Sequence, residues 1–351
     1  MIGVHSRVMT RYGATMNDIE LSIVIVSWNG MRQLPDCLAA LQSQLPPDAE
    51  LVLVDNGSRD GMPAWARTAY PNARVIALRE NLGFAGGVNV GLRAARGELL
   101  LLLNDDAFVE PGFIVALLAP FRQQPDLGAA SAVLLFNHRP ELVATAGVRV
   151  RCDGLALDLW TGRGIADLPA SPQPIFGPSG GAALYRRALL ADVGLMESSF
   201  FNYLEDVDLA WRARLRGWRS VVVPGARACH VYSATSGQGS AFKQRLLGRN
   251  RLRTIIRCMP GPVLRRCMPA ILSYDLLAIV YSVLARRPEV LSGRLAALRE
   301  LPLLLQQRRA IQARTIVSAD TIFDWLEPVA SPWATLREQR RLDAILRERP
   351  E

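Results

Sequence analysis

The stretch LSIVIVSWNGMRQLPDCLAALQSQLPPDAELVLVDNGSRDG, residues 21–61, combines two apolar runs with a helical pattern between them. Its first run, residues 21–28, is continuous and β-branched, which is typical of a strand buried on both faces. Leucines at helical spacing follow, and the second run, residues 50–55, ends in a turn rich in Asn, Gly, Ser and Asp. The stretch therefore predicts a strand–helix–strand unit with parallel strands.

The same alternation continues to residue 112. ARVIAL (73–78) is a third strand, NLGFAGGVNVGLRAAR (81–96) is a glycine-rich turn entering a helix, and ELLLLLNDDAFVEPG (98–112) is a fourth strand. This order predicts an α/β fold with a mainly parallel sheet, in which ligands bind outside the carboxyl ends of the strands. One site is expected there, because the polar clusters all follow strands: Ser27 and Asn29, Asp55-Asn56, Asn81 to Gly83, and Asn104 to Asp106.

Composition narrows the class of protein. The 351 residues are 50% hydrophobic and 21% charged, which fits a globular chain of about two domains and excludes disorder of the whole chain. The sequence contains no uninterrupted apolar run of about 18 residues, so an ordinary transmembrane helix is not expected. Residues 1–18 lack the apolar stretch of a secretory signal and are predicted to form a flexible extension. Five cysteines without a CxxC pair exclude a disulfide scaffold or zinc module and fit a reducing cytosol.

The positive charge is concentrated near the C-terminus. The net charge is +9, yet residues 241–351 hold 20 Lys+Arg against 10 Asp+Glu, and the first 240 residues hold 21 against 22. Such a segment favours an anionic partner. No nucleic-acid-binding motif accompanies the arginines, so we expect no nucleic acid and favour an anionic membrane face.

Three patterns could carry chemistry, and each has a simpler explanation. Asp105 and Asp106 end an apolar strand, where carboxylates suit Mg²⁺ together with substrate phosphates, although Asp also caps turns. The glycines of residues 83–91 allow close approach to a phosphate or sugar at a helix N-terminus, or they form a tight turn; they do not fit the GxGxxG dinucleotide motif. Asp206, at the start of a predicted helix, suits a general base, or it only stabilises that helix.

His230 lies in a loop predicted to follow the strand of residues 218–229. A lone histidine is more often a satisfied polar residue than a ligand, but this loop could return His230 to the side of Asp106.

Four more motifs follow those above in the chain: GPSGGAALYRRALL (177–190), FFNYLEDVDLAWRARLRGW (200–218), PGARACHVYS (224–233) and GRNRLR (248–253). Taken in order, the whole set resembles the GT-A nucleotide-diphospho-sugar glycosyltransferases of family 2. The resemblance covers residues 21–253 and is greatest to rhamnosyltransferase-type members of bacterial surface polysaccharide synthesis. It implies a GT-A fold, with a catalytic domain at residues 19–240. Residues 241–351, which fall outside the best-matched motifs, form a basic region with helical patterns.

The resemblance also implies roles for individual residues. Asp206 matches the general base that deprotonates the acceptor hydroxyl, with Glu205 beside it to place the acceptor. Asp106 and His230 match the site of a divalent metal, Mg²⁺ or Mn²⁺, although Asn104 replaces the first acid of the DxD motif. The remaining matches are to nucleotide-sugar-binding positions (Ser27, Asn29, Asp55, Asn81, Gly83, Phe84, Asn104, Asp105) and to the acceptor-side turn (Gly180, Gly181).

These matches predict an inverting transferase that moves rhamnose or a similar sugar from a dTDP- or UDP-sugar donor to a hydroxyl of a glycan or polyprenyl-linked saccharide. One base and one metal, without a carboxylate nucleophile, imply single displacement. A sugar-nucleotide pyrophosphorylase is disfavoured because SWNGMRQLP lacks a basic, glycine-rich triphosphate loop. A catalytically silent nucleotide- or glycan-binding relative that serves as an assembly partner remains the alternative.

The segment RRCMPAILSYDLLAIVYSVLARR, residues 265–287, is apolar from Met268 to Ala285 but contains Asp275. We interpret it as too short and too polar to span a bilayer. It is either an interfacial helix with arginines at anionic headgroups or a helical hairpin packed on the catalytic domain. The first version predicts a cytoplasmic enzyme held peripherally on the cytoplasmic face of the inner membrane.

Overall fold

The computed structural model describes residues 20–231 and 240–330, together with 337, 340–342 and 344–346. The expected extension at residues 1–18 lies outside these described residues. In chain order, the strands are β1 Leu21–Ser27, β2 Glu50–Asp55, β3 Arg74–Ala77, β4 Leu99–Asn104, β5 Ala107–Val109, β6 Leu127–Phe136, β7 Arg139–Thr145, β8 Val148–Arg151, β9 Ala156–Asp158, β10 Gln173–Pro174, β11 Ala182–Arg186, β12 Arg219–His230 and β13 Leu326–Glu327.

The helices alternate with these strands in the first part of the chain and follow them in the last. They are α1 Leu34–Gln42, α2 Met62–Ala69, α3 Gly83–Ala94, α4 Phe113–Gln123, α5 Arg187–Val193, α6 Glu205–Leu215, α7 Ala241–Cys258, α8 Gly261–Leu284, α9 Pro288–Arg299, α10 Leu301–Gln312 and α11 Ala319–Phe323.

The central sheet has the strand order β10-β12-β6-β11-β4-β1-β2-β3. Strands β1 to β4 are mutually parallel, as the sequence predicts, whereas β11 is inserted antiparallel between β4 and β6. The registers pair Ser27 with Asp55 and Val26 with Asn104, so the carboxyl ends of β1, β2 and β4 align at one edge. The mainly parallel α/β architecture is therefore confirmed.

Apolar side chains cover both faces of this sheet. Strand β2 is buried along its whole length, and β4 is buried from Leu99 to Leu103. Helix α3 packs unusually close to the sheet, because a Cβ at Gly91 would lie 2.3 Å from a Val24 methyl group. The glycine-rich pattern thus has a packing role besides any role at the site.

Helices α7 to α11 form the C-terminal region, which packs against helix α6 and strand β8. Val207, Trp211 and Leu215 of α6 are buried in one cluster with Ile255 of α7 and Val263 of α8. The charge pattern of the sequence predicted an external anionic partner for the excess of arginines, but several arginines of α7 face the protein interior. Arg251, Arg253 and Arg257 are all buried, and they take part in internal hydrogen bonds and ion pairs.

Among the described residues, one helix, α8, is long and apolar enough to cross a membrane, judged by length and composition alone. It has 24 residues and a mean hydropathy of 1.7 over its most apolar part. The prediction that this segment is too short was wrong, because the helix begins at Gly261, several residues before the apolar run considered in the sequence. Asp275 does not interrupt it, since its carboxylate pairs with Arg251 and Arg294.

Candidate active site

A cavity of about 1250 Å³ opens at the carboxyl edge of the sheet. Most of the predicted site residues line it: Asn81, Gly83, Phe84, Asn104, Asp105, Asp106, Gly180, Gly181, Glu205, Asp206 and His230. Three predicted residues lie beside the cavity without lining it. Ser27 and Asp55 are buried at their strand ends, and the side chain of Asn29 accepts a hydrogen bond from the Arg59 backbone.

The first wall of the cavity is a hydrogen-bonded loop between β3 and α3. The side-chain amide of Asn56 donates to the side-chain oxygen of Asn81 and to the carbonyl of Gly83, at 3.0 Å each. Gly83 has a φ of +74°, and a Cβ there would lie 2.3 Å from the carbonyl oxygen of Phe201. Glycine is therefore required for this turn, which exposes backbone to the cavity.

The end of β4 carries the acidic group of the site. The Oδ1 atom of Asp106 lies 3.0 Å from Nε2 of His230, and the side-chain amide of Asn104 lies 3.2 Å from the same nitrogen. His230 was predicted in a loop, but strand β12 extends to it. Its antiparallel pairing with Ala107 of β5 sets the histidine beside Asp106.

Burial and neighbouring carboxylates shift the pKa values of Asp105 and His230. Burial, together with the charge of Asp106, raises the pKa of Asp105 to about 7. Burial disfavours the imidazolium form of His230, but the carboxylates of Asp106 and Asp105 outweigh this effect, so the pKa of His230 is raised. The site is therefore built to hold positive charge next to Asp106.

Among the described residues, no group of three or more His, Cys, Asp or Glu side chains is arranged to hold a metal ion alone. Asp106 and His230 instead offer one carboxylate and one imidazole side by side at the cavity. Mg²⁺ usually takes one or two protein carboxylates and completes its shell with water and substrate phosphates, and imidazole also serves metals such as Mn²⁺. This donor set fits a divalent ion that shares its coordination with a phosphate ligand.

Asp206 is held in a fixed orientation at the N-terminus of α6. Its Oδ2 accepts from the backbone N–H of Gly180 at 2.9 Å, and its Oδ1 accepts from that of Val207 at 2.8 Å. Burial raises its pKa above the ordinary value for aspartate, and the two N–H donors oppose that shift. Asp206 is partly buried and lines the cavity, a position from which a carboxylate can reach a bound ligand.

Glu205 differs from its neighbour. It is 4% exposed, and its Oε2 has no hydrogen-bond partner among the described residues. Burial and the charge of Asp206 raise the pKa of Glu205 well above its usual range. The pair is thus divided into a side chain that favours the neutral acid and a carboxylate that is stabilised by backbone N–H groups.

A strained turn leads into α6. Phe201, Tyr203 and Leu204 all have positive φ values between 67° and 69°, although none is glycine. Helix α7 holds this turn in place, because the side-chain amide of Asn250 donates to the carbonyls of Phe200, Asn202 and Tyr203. The position of Asp206 consequently depends on the C-terminal region.

The sequence motifs did not identify several lining residues. Trp28, Asp158, Lys243 and Arg341 all contribute to the cavity wall. Asp158 lies near Asp206, His230 and Lys243, because its charge acts on all three. At Lys243 burial outweighs that charge, so the pKa of this lysine is lowered. Lys243 carried one signal, since it is the only lysine of the chain, whereas Asp158 lies in a short strand without a motif.

Comparison with known proteins assigns the family of this chain. A model of glycosyl transferase family 2 matches residues 22–194. The chain is also 30% identical over 248 residues to the N-acetylglucosaminyl-diphospho-decaprenol L-rhamnosyltransferase of Mycobacterium tuberculosis, which covers 64% of this chain and 80% of that protein. The chain belongs to glycosyl transferase family 2. It is a nucleotide-sugar glycosyltransferase, as the sequence predicted.

Other similarities agree with this family 2 assignment. The low-salt glycan biosynthesis hexosyltransferase Agl10 of Haloferax volcanii is 27% identical, over 57% of this chain and 63% of that protein. Among solved structures, GalNAc-T7 with UDP, GalNAc and Mn²⁺ has a TM-score of 0.58 at 18% identity, over 70% of this chain and 49% of that one. Staphylococcus aureus TarS with UDP-GlcNAc has a TM-score of 0.54 at 18% identity, over 84% and 90%. The predicted GT-A fold is confirmed.

Proposed function

We propose that this family 2 glycosyltransferase is an inverting, metal-dependent enzyme. It would transfer rhamnose or a similar sugar from a dTDP- or UDP-sugar to a hydroxyl of a glycan or polyprenyl-linked saccharide. The observation that supports this proposal is that Asp206 and the Asp106–His230 pair face one cavity. A base for the acceptor and a binding group for the diphosphate are both needed for direct transfer.

Asp206 is the proposed base. Both of its oxygens are fixed by backbone N–H groups, so the carboxylate is oriented before the acceptor arrives. The raised pKa brings its basicity closer to that required for proton transfer from a hydroxyl near neutral pH. Glu205 favours its neutral form, which is a poor nucleophile, and this supports single displacement with inversion.

Asp106 and His230 are the proposed metal ligands, and Asn104 and Asp105 lie beside them. A bound Mg²⁺ or Mn²⁺ would neutralise the charge that develops on the departing diphosphate. The loop of Asn81, Gly83 and Phe84, which lines the same cavity, is the proposed contact for the nucleotide. Lys243 and Arg341 add positive charge to the same cavity.

The proposed substrates come from the relatives. The mycobacterial protein is named for transfer of L-rhamnose to a decaprenyl-diphosphate-linked N-acetylglucosamine, and the proposed acceptor here is of that class. The five described cysteines are all free thiols, which supports the proposed cytoplasmic location, on the face of the membrane where nucleotide sugars are available.

The test combines transfer and binding measurements on two variants. Asp206→Asn should lower kcat by about 10²- to 10⁴-fold, the usual contribution of a general base, and should retain nucleotide binding. Asp106→Asn should lose the metal-dependent part of nucleotide binding. Asp126→Asn, which changes an exposed acid paired with Arg219, is the control and should retain both activities.

Two results would contradict the proposal. Undiminished transfer by Asp206→Asn would remove the base assignment. Nucleotide binding by the unmodified protein without transfer, across a panel of donors and acceptors, would instead favour a silent binding relative.

A further inference from the structure

The C-terminal region exposes a large apolar surface. On α8, the side chains of Leu276 and Leu277 are 63% exposed, that of Val283 is 67% exposed and that of Leu284 is 78% exposed. Helix α9 packs against α8 and α10, and both α9 and α10 carry exposed leucines, including Leu298 and Leu303. Contiguous exposed apolar residues on this scale mark a docking site, because water solvates them poorly.

Helix α8 is divided into an anchored half and a protruding half. Val263, Cys267 and Ile271 are buried in the core that also contains Trp211 of the catalytic helix α6. From Leu272 onward, most apolar side chains are exposed. The exposed half, residues 272–284, is about 20 Å long, which is less than the roughly 30 Å thickness of the hydrocarbon layer. This half can therefore enter one leaflet while the anchored half stays in the protein.

No unpaired acid of α8 opposes such insertion in the described structure. Asp275 is its acidic residue, and one of its oxygens lies 2.9 Å from Arg251 and 2.8 Å from Arg294. The ring of Tyr274 covers the same arginine pair, with the Arg251 guanidinium carbon 4.3 Å from the ring centroid. The acid is neutralised on the protein side of the helix, which leaves the apolar face uninterrupted.

The charges around the surface indicate what covers it. Residues 261–312 contain eight arginines and three acidic residues. Arg286 and Arg287 directly follow the end of α8, and Arg299 is exposed beside Leu298. An apolar surface bordered by arginines complements the two layers of an anionic bilayer, in which acyl chains lie beneath phosphate headgroups.

We propose that the exposed half of α8, with the adjoining leucines of α9 and α10, docks on an anionic lipid bilayer by inserting into one leaflet without crossing it. This inference deepens the proposed function, because it would bring the cavity to the membrane that holds a polyprenyl-linked acceptor. The docking surface itself involves none of the proposed catalytic residues.

The experiment is flotation of the full-length protein with vesicles of phosphatidylglycerol and phosphatidylcholine, compared with phosphatidylcholine alone. The unmodified chain should float with the anionic vesicles. The double variant Leu276→Asp, Val280→Asp should reduce the bound fraction at least tenfold. Changing Arg286 and Arg287 to Gln should weaken binding to anionic vesicles about fivefold for each arginine. Val115→Asp, at a 70%-exposed apolar residue of α4, is the matched control and should bind normally.

Four further outcomes test the docking proposal. Absence of flotation with either vesicle would overturn the proposal. A concentration-dependent dimer that the double Asp variant dissociates, without vesicle binding, would also overturn it and would assign the surface to a second copy of the chain. The double variant should transfer sugar to a water-soluble acceptor at the normal rate. If the unmodified chain floats but shows no transfer to any acceptor, docking stands and the proposed function fails.

Discussion

Replacing Asp208 by Ala should destabilise the whole protein, although Asp208 lies only two residues after the proposed base. Its carboxylate is fully buried, with Oδ2 at 2.9 Å from Nε of Arg212 and Oδ1 at 3.0 Å from Nη1 of Arg257. The first arginine belongs to α6 and the second to α7, so this carboxylate joins α6 to the C-terminal region.

The expected loss of stability depends on the hydrogen-bond acceptors and carboxylates that the two arginines retain in the variant. Removing one partner of a buried ion pair costs about 3–5 kcal/mol, because it leaves a charge buried without its counter-ion. Arg212 retains the carbonyls of Val193, Gly194 and Leu195, and Arg257 retains the carboxylate of Glu197 at 3.1 Å. These remaining acceptors favour the lower end of that range, about 3 kcal/mol.

The measurement is urea-induced unfolding of the purified protein, followed by tryptophan fluorescence. Asp320→Ala is the control, because its partner Arg266 lies at 2.8 Å but the Asp320 side chain is 85% exposed, and such surface pairs contribute about 0–1 kcal/mol. A loss below about 1 kcal/mol for Asp208→Ala would refute the conclusion that this pair holds the two parts of the protein together.

The dependence on pH gives a second check. The two arginines keep the pKa of Asp208 below its usual value despite burial. The stability that this carboxylate contributes is therefore present above its unfolded-state pKa, and it is lost as the pH falls through the lowered folded-state pKa. The difference between the unmodified protein and Asp208→Ala should narrow only on strong acidification. A difference that stays constant through that range would contradict the ion-pair explanation.

Three further predictions concern the site. Because burial raises the pKa of Glu205, its protonated form stabilises the fold at low pH, and this contribution is lost as the pH rises. The free energy of unfolding of Glu205→Gln should therefore increase relative to that of the unmodified protein between pH 5 and 8. A difference in unfolding free energy that stays constant over this range would argue against a buried acid. Gly83→Ala should lower the free energy of unfolding by about 1–3 kcal/mol, measured by thermal unfolding, and should weaken nucleotide binding, measured by titration. The control Gly112→Ala, at a φ of +83° but in open space, should show only the backbone strain of about 1 kcal/mol. Equal losses of stability would exclude the Phe201 contact as the cause. The kcat for transfer should fall on acidification with an apparent pKa above that of ordinary aspartate, since the pKa of Asp206 is raised; a rate unchanged down to pH 4 would exclude Asp206 as base.

The sequence predicted the parts of the fold that depend on local patterns. Continuous apolar runs located β1, β2 and β4, and the polar residues after them lie at one edge because parallel strands align their carboxyl ends. The position of His230 required more, since it depends on a pairing between β12 and β5 that no local pattern encodes. Asp158 and Arg341 also line the cavity, and neither lies in a motif identified from the sequence.

The net charge of the C-terminal region did not predict where its arginines lie. It assigned the excess of arginines to an external anionic partner, yet several arginines of α7 are buried and bind carbonyl oxygens or carboxylates of the protein. A count of charges contains no information on burial. The arginines at the end of α8 and those inside α7 are alike in the sequence and differ only in their surroundings.

The hydrogen bonds from α7 to the strained turn before α6 limit how this enzyme can be truncated or fused to parts of its relatives. The family match ends at residue 194, but the side chain of Asn250 holds the backbone that aims Asp206. A chain cut after residue 240 would keep every proposed catalytic residue and lose the support that fixes the base. Chimaeras that exchange acceptor preference between relatives should therefore carry α7 along with the α6 that it supports.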